Sequence, residues 1–370
     1  MPQLRLMTGP DAAGHGGEVF SVAYAPEGGL VLSGGWDGHL RLWQVDTGAQ
    51  LTALHASPKA ISACAVSPDG RQWFSGALDG LLSAWDAATH RPLTSTLTHT
   101  RPISTILFSP DGKGLTTASW DRTIGVWDRV REREGRVLIG HGDIVAGCRF
   151  TPDGAHLFSW SHDRTARVWD LARGEERATL GGHTDRLTAG AVSPDGLWAA
   201  TGARDRVLTL WDLAAEAPAH AACLGGEVRA CFFLPDGESL VSIDRNGRVV
   251  LHSVPDLRER QELLTGRAVQ CAEAAPDART VALGCEDGRV AFLAVGGLEA
   301  GPVLVTPREA ARKAPGGWRR LFGGRAAPAY ACTCPSCQHA FDLPGAMLGQ
   351  RAACPACRRP LRVNGVARPA

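Results

Sequence analysis

The 370 residues carry 39 Lys and Arg against 38 Asp and Glu, a near balance that hides two unlike regions. Residues 306–370 hold 11 basic and two acidic residues, a net of +9, which leaves 28 basic and 36 acidic residues and a net of −8 in residues 1–305. No apolar run reaches the ~18 residues of a membrane helix, and residues 1–16 lack the basic start and apolar stretch of a signal peptide, so neither a membrane span nor secretion is expected.

Taken in order, the chain repeats itself. Asp37, Asp79, Asp121, Asp163 and Asp205 stand 42 residues apart, and the register continues one residue shorter at Asn246 and Asp287. Six residues after each stands Trp43, Trp85, Trp127, Trp169 or Trp211, then His252 and Leu293. A histidine opens the first five units, at His15, His55, His99, His141 and His183; Leu224 and Thr265 open the last two. A period of this length marks a repeat architecture.

Each unit reads as four short strands. In the fourth, Ile144–Phe150 alternates apolar with small or polar residues, and the turn Thr151-Pro152-Asp153-Gly154 follows, with Pro presetting φ and Gly taking a positive φ. A second strand near His156–Ser159, a tight turn at His162-Asp163-Arg164, a third strand at Thr165–Trp169 and a fourth near Arg177–Leu180 complete it. Seven such units are counted. Four short antiparallel strands cannot bury both faces alone, whereas stacking seven sheets around a ring does so.

This pattern resembles the WD-repeat family of β-propellers over about residues 1–305. The resemblance implies an all-β fold with seven four-stranded antiparallel blades. It also implies a hydrogen-bonded series of His, Ser or Thr, Asp and Trp inside each blade, the Ser or Thr four residues before the Asp. Carried over, these are His15, Ser33, Asp37 and Trp43; His55, Ser75, Asp79 and Trp85; and His99, Thr117, Asp121 and Trp127. Blades four and five give His141, Ser159, Asp163 and Trp169, then His183, Thr201, Asp205 and Trp211. Blade six keeps only Ser242 and blade seven only Asp287, so these two are expected to rest on apolar packing. The family closes its ring with an N-terminal strand, for which Leu4–Met7 would serve; Pro302–Val305 is a rival.

Behind the repeats, residues 306–329 read as a basic Pro- and Gly-rich linker containing the cluster Trp318 to Phe322, a docking motif or a plain spacer. Residues 330–365 carry Cys334-Pro-Ser-Cys337 and Cys354-Pro-Ala-Cys357, a spacing that signals a structural Zn2+ site. Phe341–Leu343 and Arg351–Ala353 are expected to pair as a hairpin that unites the two halves. The module is similar to zinc ribbons, although Gln338 and Arg358 stand where that family often has Gly. Cys332 is read as a spare thiol; iron in place of zinc and a pair of disulfides are the alternatives. The six cysteines of the body are expected to be buried free thiols, in keeping with a cytoplasmic protein.

For function, the His, Ser and Asp sets recur in blade after blade, whereas a catalytic site occurs once, so no enzyme is expected. In the family, the residue before each Asp faces the rim where partners bind. Here these are Trp36, Leu78, Trp120, His162, Arg204, Arg245 and Glu286. Trp36, Trp120, His162, Arg204 and Arg245 are the candidate partner-binding residues, with the two Arg as local exceptions in an acidic body. The expected activity is a monomeric scaffold for protein partners. The alternative is a nucleic-acid-associated protein whose basic ribbon contacts phosphates.

Overall fold

The computed structural model describes residues 2–7, 14–128 and 133–296, and beyond these only the backbone of six short strands between 303 and 363. The chain divides into two compact units, a ring and a C-terminal unit that begins at Leu298. No helix among the described residues is long and apolar enough to cross a membrane.

The ring has seven blades, each a four-stranded antiparallel sheet, and in the first six the strands follow chain order. Blade four is representative: Val145–Phe150 lies innermost, followed outwards by His156–Ser161, Thr165–Asp170 and Glu175–Gly181. The first six blades span residues 19–55, 61–97, 103–139, 145–181, 187–223 and 228–264. The Pro-Asp-Gly turns place glycine in the left-handed region, as at Gly154 with φ 67°. In blade seven Ala278 takes that conformation, φ 52°, with a Cβ that disfavours it.

Blade seven is built from Val269–Ala274, Thr280–Cys285 and Val290–Gly296, and the N-terminal strand Gln3–Leu6 completes it, Leu4 opposite Val295. Gln261, on the outer strand of blade six, fastens this strand: Leu4 N–H donates to its Oε1 at 2.9 Å and its Nε2 donates to Leu4 O at 3.1 Å. The rival segment is used elsewhere, because Val303–Val305 pairs in parallel with Leu361–Val363 in the C-terminal unit.

The apolar core lies in layers between blades. One layer joins Ala23, Leu32 and Leu40 of blade one to Ile61, Trp73 and Trp85 of blade two. Another joins Ala118 and Ile124 of blade three to Val145, Leu157 and Trp169 of blade four. Each sheet is therefore sandwiched by its neighbours, which removes apolar area from water on both faces. Four body cysteines, Cys64, Cys148, Cys231 and Cys285, are buried free thiols that burial pushes up to about 12; Cys271 is half-buried, and Cys223 is exposed, against expectation.

A feature not read from the sequence is a β-bulge in the inner strand of every blade. The ladder skips one residue at Phe20, Ser62, Ser104, Ala146, Thr188, Arg229 and Gln270. A bulge re-aims the skipped side chain. Three of these, Ser62, Ser104 and Thr188, donate to the carbonyls of Ile103, Val145 and Val228 on the following blade. The bulges thus supply polar staples between sheets whose contact is otherwise apolar.

In the C-terminal unit, Ala329–Thr333 pairs with Ala340–Pro344, and Arg351–Ala353 with Pro360–Val363, both antiparallel. The expected hairpin between 341–343 and 351–353 does not form; each strand pairs with its neighbour across its own Cys-Pro-x-Cys stretch, so register is set within each half. Arg308–Glu309, inside the expected linker, pairs with Tyr330 and Ala331. The four candidate zinc ligands, Cys334, Cys337, Cys354 and Cys357, and the cluster around Trp318 lie outside the described residues.

Candidate interaction surface

Four blades contain the full polar series. In blade four, Trp169 Nε1 donates to Ser159 Oγ at 2.8 Å, Ser159 Oγ lies 2.8 Å from His141 Nε2, and His141 Nδ1 lies 2.9 Å from Asp163. Only one proton arrangement satisfies every atom. The carboxylate only accepts, so His141 must donate from Nδ1, leaving Nε2 to accept from the Ser159 hydroxyl, whose oxygen accepts from the indole. Blades one, three and five repeat it through Ser33, Thr117 and Thr201.

At the open end of each relay the Asp sits in the turn between the second and third strands. Burial alone would raise the Asp163 carboxyl. Hydrogen bonds from His141, Thr165 and the Gly142 N–H outweigh burial and hold it well below the usual carboxylate range. Asp37, Asp121 and Asp205 are depressed in the same way. The carboxylate therefore ties the chain entering each blade to its turn and is spent on structure.

Blade two departs from expectation. Trp85 Nε1 donates to Ser75 at 2.9 Å, but His55 is not in the series. The four relay histidines precede their Asp by 22 residues, whereas His55 precedes Asp79 by 24, and Ser57 holds the equivalent place. His55 instead ends an outer strand, exposed and edge-on to His39 with ring centroids 5.0 Å apart. In blade six, Ser242 bonds His252 Nε2 at 2.8 Å, so an imidazole occupies the place of the indole. Blade seven has buried Leu283 and Leu293 there, and Asp287 turns outwards to Arg267 at 2.8 Å.

The residue before each Asp occupies one equivalent position around the ring: its N–H donates to the carbonyl 18 residues earlier, from Trp36 to Glu18 through Glu286 to Ala268. These seven residues define one rim, and it has two unlike sectors. Trp36 is 60% exposed and Trp120 41%, with half-buried Leu78 on the blade between them. Trp36 packs on Gly17 and lies 6.0 Å from the Phe20 ring, leaving most of its indole in solvent. On the other side, Arg245 pairs with Glu286 at 2.8 Å, Arg204 with Glu227 at 3.7 Å, and Arg229 with the same Glu227 at 3.5 Å. The two candidate Arg of this sector, Arg204 and Arg245, are thus both engaged in ion pairs with the following blade. His162, between the sectors, is half-buried, and burial lowers its pKa and favours the neutral ring.

Inside the rim, a cavity of about 790 Å³ runs along the inner strands, with Trp160, Arg149, Arg229, Gln270 and Glu273 in its wall. Nothing in the repeat pattern signalled it, because the blades do not repeat these residues.

No curated protein matches the chain. The family of the IFT122 first beta-propeller matches residues 15–294, from the first relay histidine to the last ring strand, and a propeller of this type is consistent with a protein-interaction scaffold. The repeat, the seven stacked sheets and this match agree, and the chain belongs to the IFT122 first beta-propeller family.

Proposed function

We propose that the chain is a non-enzymatic cytoplasmic scaffold that, as a monomer, captures a protein partner on the rim of blades one to three. The observation that carries this reading is the pair of exposed indoles, Trp36 and Trp120, which take no part in the polar relays. Indole side chains supply large contact area at low entropic cost and dominate interface energetics. The ion-paired sector, with Arg204 and Arg245, then forms the polar flank of the interface, where charges steer the partner and contribute little affinity.

The test is the double substitution Trp36→Ala and Trp120→Ala, with partners recovered by affinity capture and mass spectrometry. The main partner should be lost while the melting temperature stays within a few degrees of wild type. Capture that survives together with a sharp fall in melting temperature would assign both indoles to packing.

The same reading gives the C-terminal unit a structural zinc ion on Cys334, Cys337, Cys354 and Cys357. Its support is the donor set, four thiolates in two Cys-Pro-x-Cys stretches, each flanked by strands that pair with one another. The ion would supply folding energy to a module too small to bury a core. Metal analysis of protein purified under reducing conditions should return one zinc per chain, lost on replacing Cys334 and Cys354 by Ser; iron or intact disulfides would refute it.

A further inference from the structure

The cavity along the inner strands has a wall that the repeat does not explain. At one ladder position of the second strand the blades carry Gly34, Gly76, Ala118, Trp160, Gly202, Ile243 and Gly284. Blade four alone places an indole there, and two glycines make room for it. A Cβ on Gly147, its cross-strand partner, would lie 2.3 Å from the ring, and one on Gly190 of blade five also 2.3 Å. Trp160 is 7% exposed, and its buried Nε1 has no hydrogen-bond partner.

Arg149 stands diagonal to Trp160 on the same face, since Gly147 is opposite Trp160 and Arg149 opposite Phe158. Diagonal pairs are within reach of long side chains. Arg149 makes no ion pair among the described residues, and it lines the same cavity as Trp160. Two more buried polar atoms without partners, Arg229 Nε and Gln270 Oε1, belong to residues of the same wall. Glu273 is the one carboxylate among the lining residues; burial raises its pKa, against the opposing pull of the Arg149 charge. Water can satisfy an indole N–H or an amide oxygen. It hydrates a guanidinium without neutralising it, so the charge of half-buried Arg149 stays available to an anion.

We propose that this channel binds a small-molecule oxyanion, a carboxylate or a phosphate, held by the Arg149 guanidinium and the Trp160 indole N–H. An oxyanion can accept from an indole N–H and from a guanidinium alike, and charge-assisted bonds of this kind are the strong ones. The cavity is of small-molecule size, and small-molecule pockets combine apolar walls with a few converging polar groups.

The test follows the indole N–H resonances of the full chain while inorganic phosphate or succinate is titrated against chloride at matched ionic strength. Trp160→Phe identifies the resonance; should that variant not fold, sequential assignment of the wild type identifies it. The Trp160 signal should move saturably with at least one probe, and the responding probe tells phosphate from carboxylate. Arg149→Gln should weaken that response at least about tenfold. The proposal falls if neither probe moves the Trp160 signal, if Arg149→Gln responds like wild type, or if only the rim indoles of Trp36 and Trp120 respond.

Discussion

Blades four and seven have the same four-strand plan, but they hold their third strands by different means. Blade four fixes Trp169 through Ser159, His141 and Asp163, a relay in which every donor meets an acceptor. Blade seven puts Leu293 at that place, fully buried between Val281 and Leu6 of the neighbouring strands. A polar relay contributes directional bonds whose loss strands buried partners. An apolar site contributes area and close packing, and its loss leaves a cavity. The ring therefore tolerates exchange of one device for the other, provided that no buried polar atom is left alone.

The largest break in this comparison is Leu293→Ala. It should cost about 2–5 kcal/mol, because the lost area and the cavity add. Equilibrium denaturation would read it, and a cost below about 1 kcal/mol would mean that the closing strand collapses onto the gap.

Asp163→Ala comes next, at roughly 1–3 kcal/mol from the bonds left unmade. Its pH signature separates it from blade seven. The folded Asp163 carboxyl lies below its unfolded value, so the folded state binds fewer protons. The stability this gives is complete above the ordinary carboxylate range, near ~4, and is lost as pH falls towards the folded value. The difference in melting temperature between wild type and Asp163→Asn should therefore be widest near neutrality and shrink below about pH 4. A difference that grows on acidification would contradict the assigned relay, and Leu293→Ala should show no such narrowing.

The smallest effect sharpens the register. His141→Ala should cost about 1–3 kcal/mol, whereas His55→Ala should stay within about 0.5 kcal/mol, since His55 is exposed and outside the series. Equal costs for the two would return His55 to the relay.

Much of this was legible from spacing, because relay partners lie within one blade, 22, 18 and 10 residues apart. Those offsets survive in the sequence as a period. His55 shows the limit: a histidine two residues out of step looks like a member until the offset is checked against its neighbours. The rim position was legible for the same reason, since it is set by the turn beside each Asp. Whether its side chains were free was not. Arg245 meets Glu286 across 41 residues, and Arg204 meets Glu227 on the next blade.

The amino-acid sequence by itself determined the seven-part ring, since a 42-residue period of four short strands buries its faces only by stacking on copies of itself. It also determined the relay chemistry, which is closed within each sheet. Tertiary structure alone decided what passes between sheets. It chose Gln3–Leu6 over Val303–Val305 to complete blade seven, turned the bulged residues into staples and a channel wall, and seated Trp160 against Gly147 and Gly190. Contacts of this kind depend on how one blade is set against the next, and no local spacing encodes that angle; it follows from the packing of all seven sheets at once.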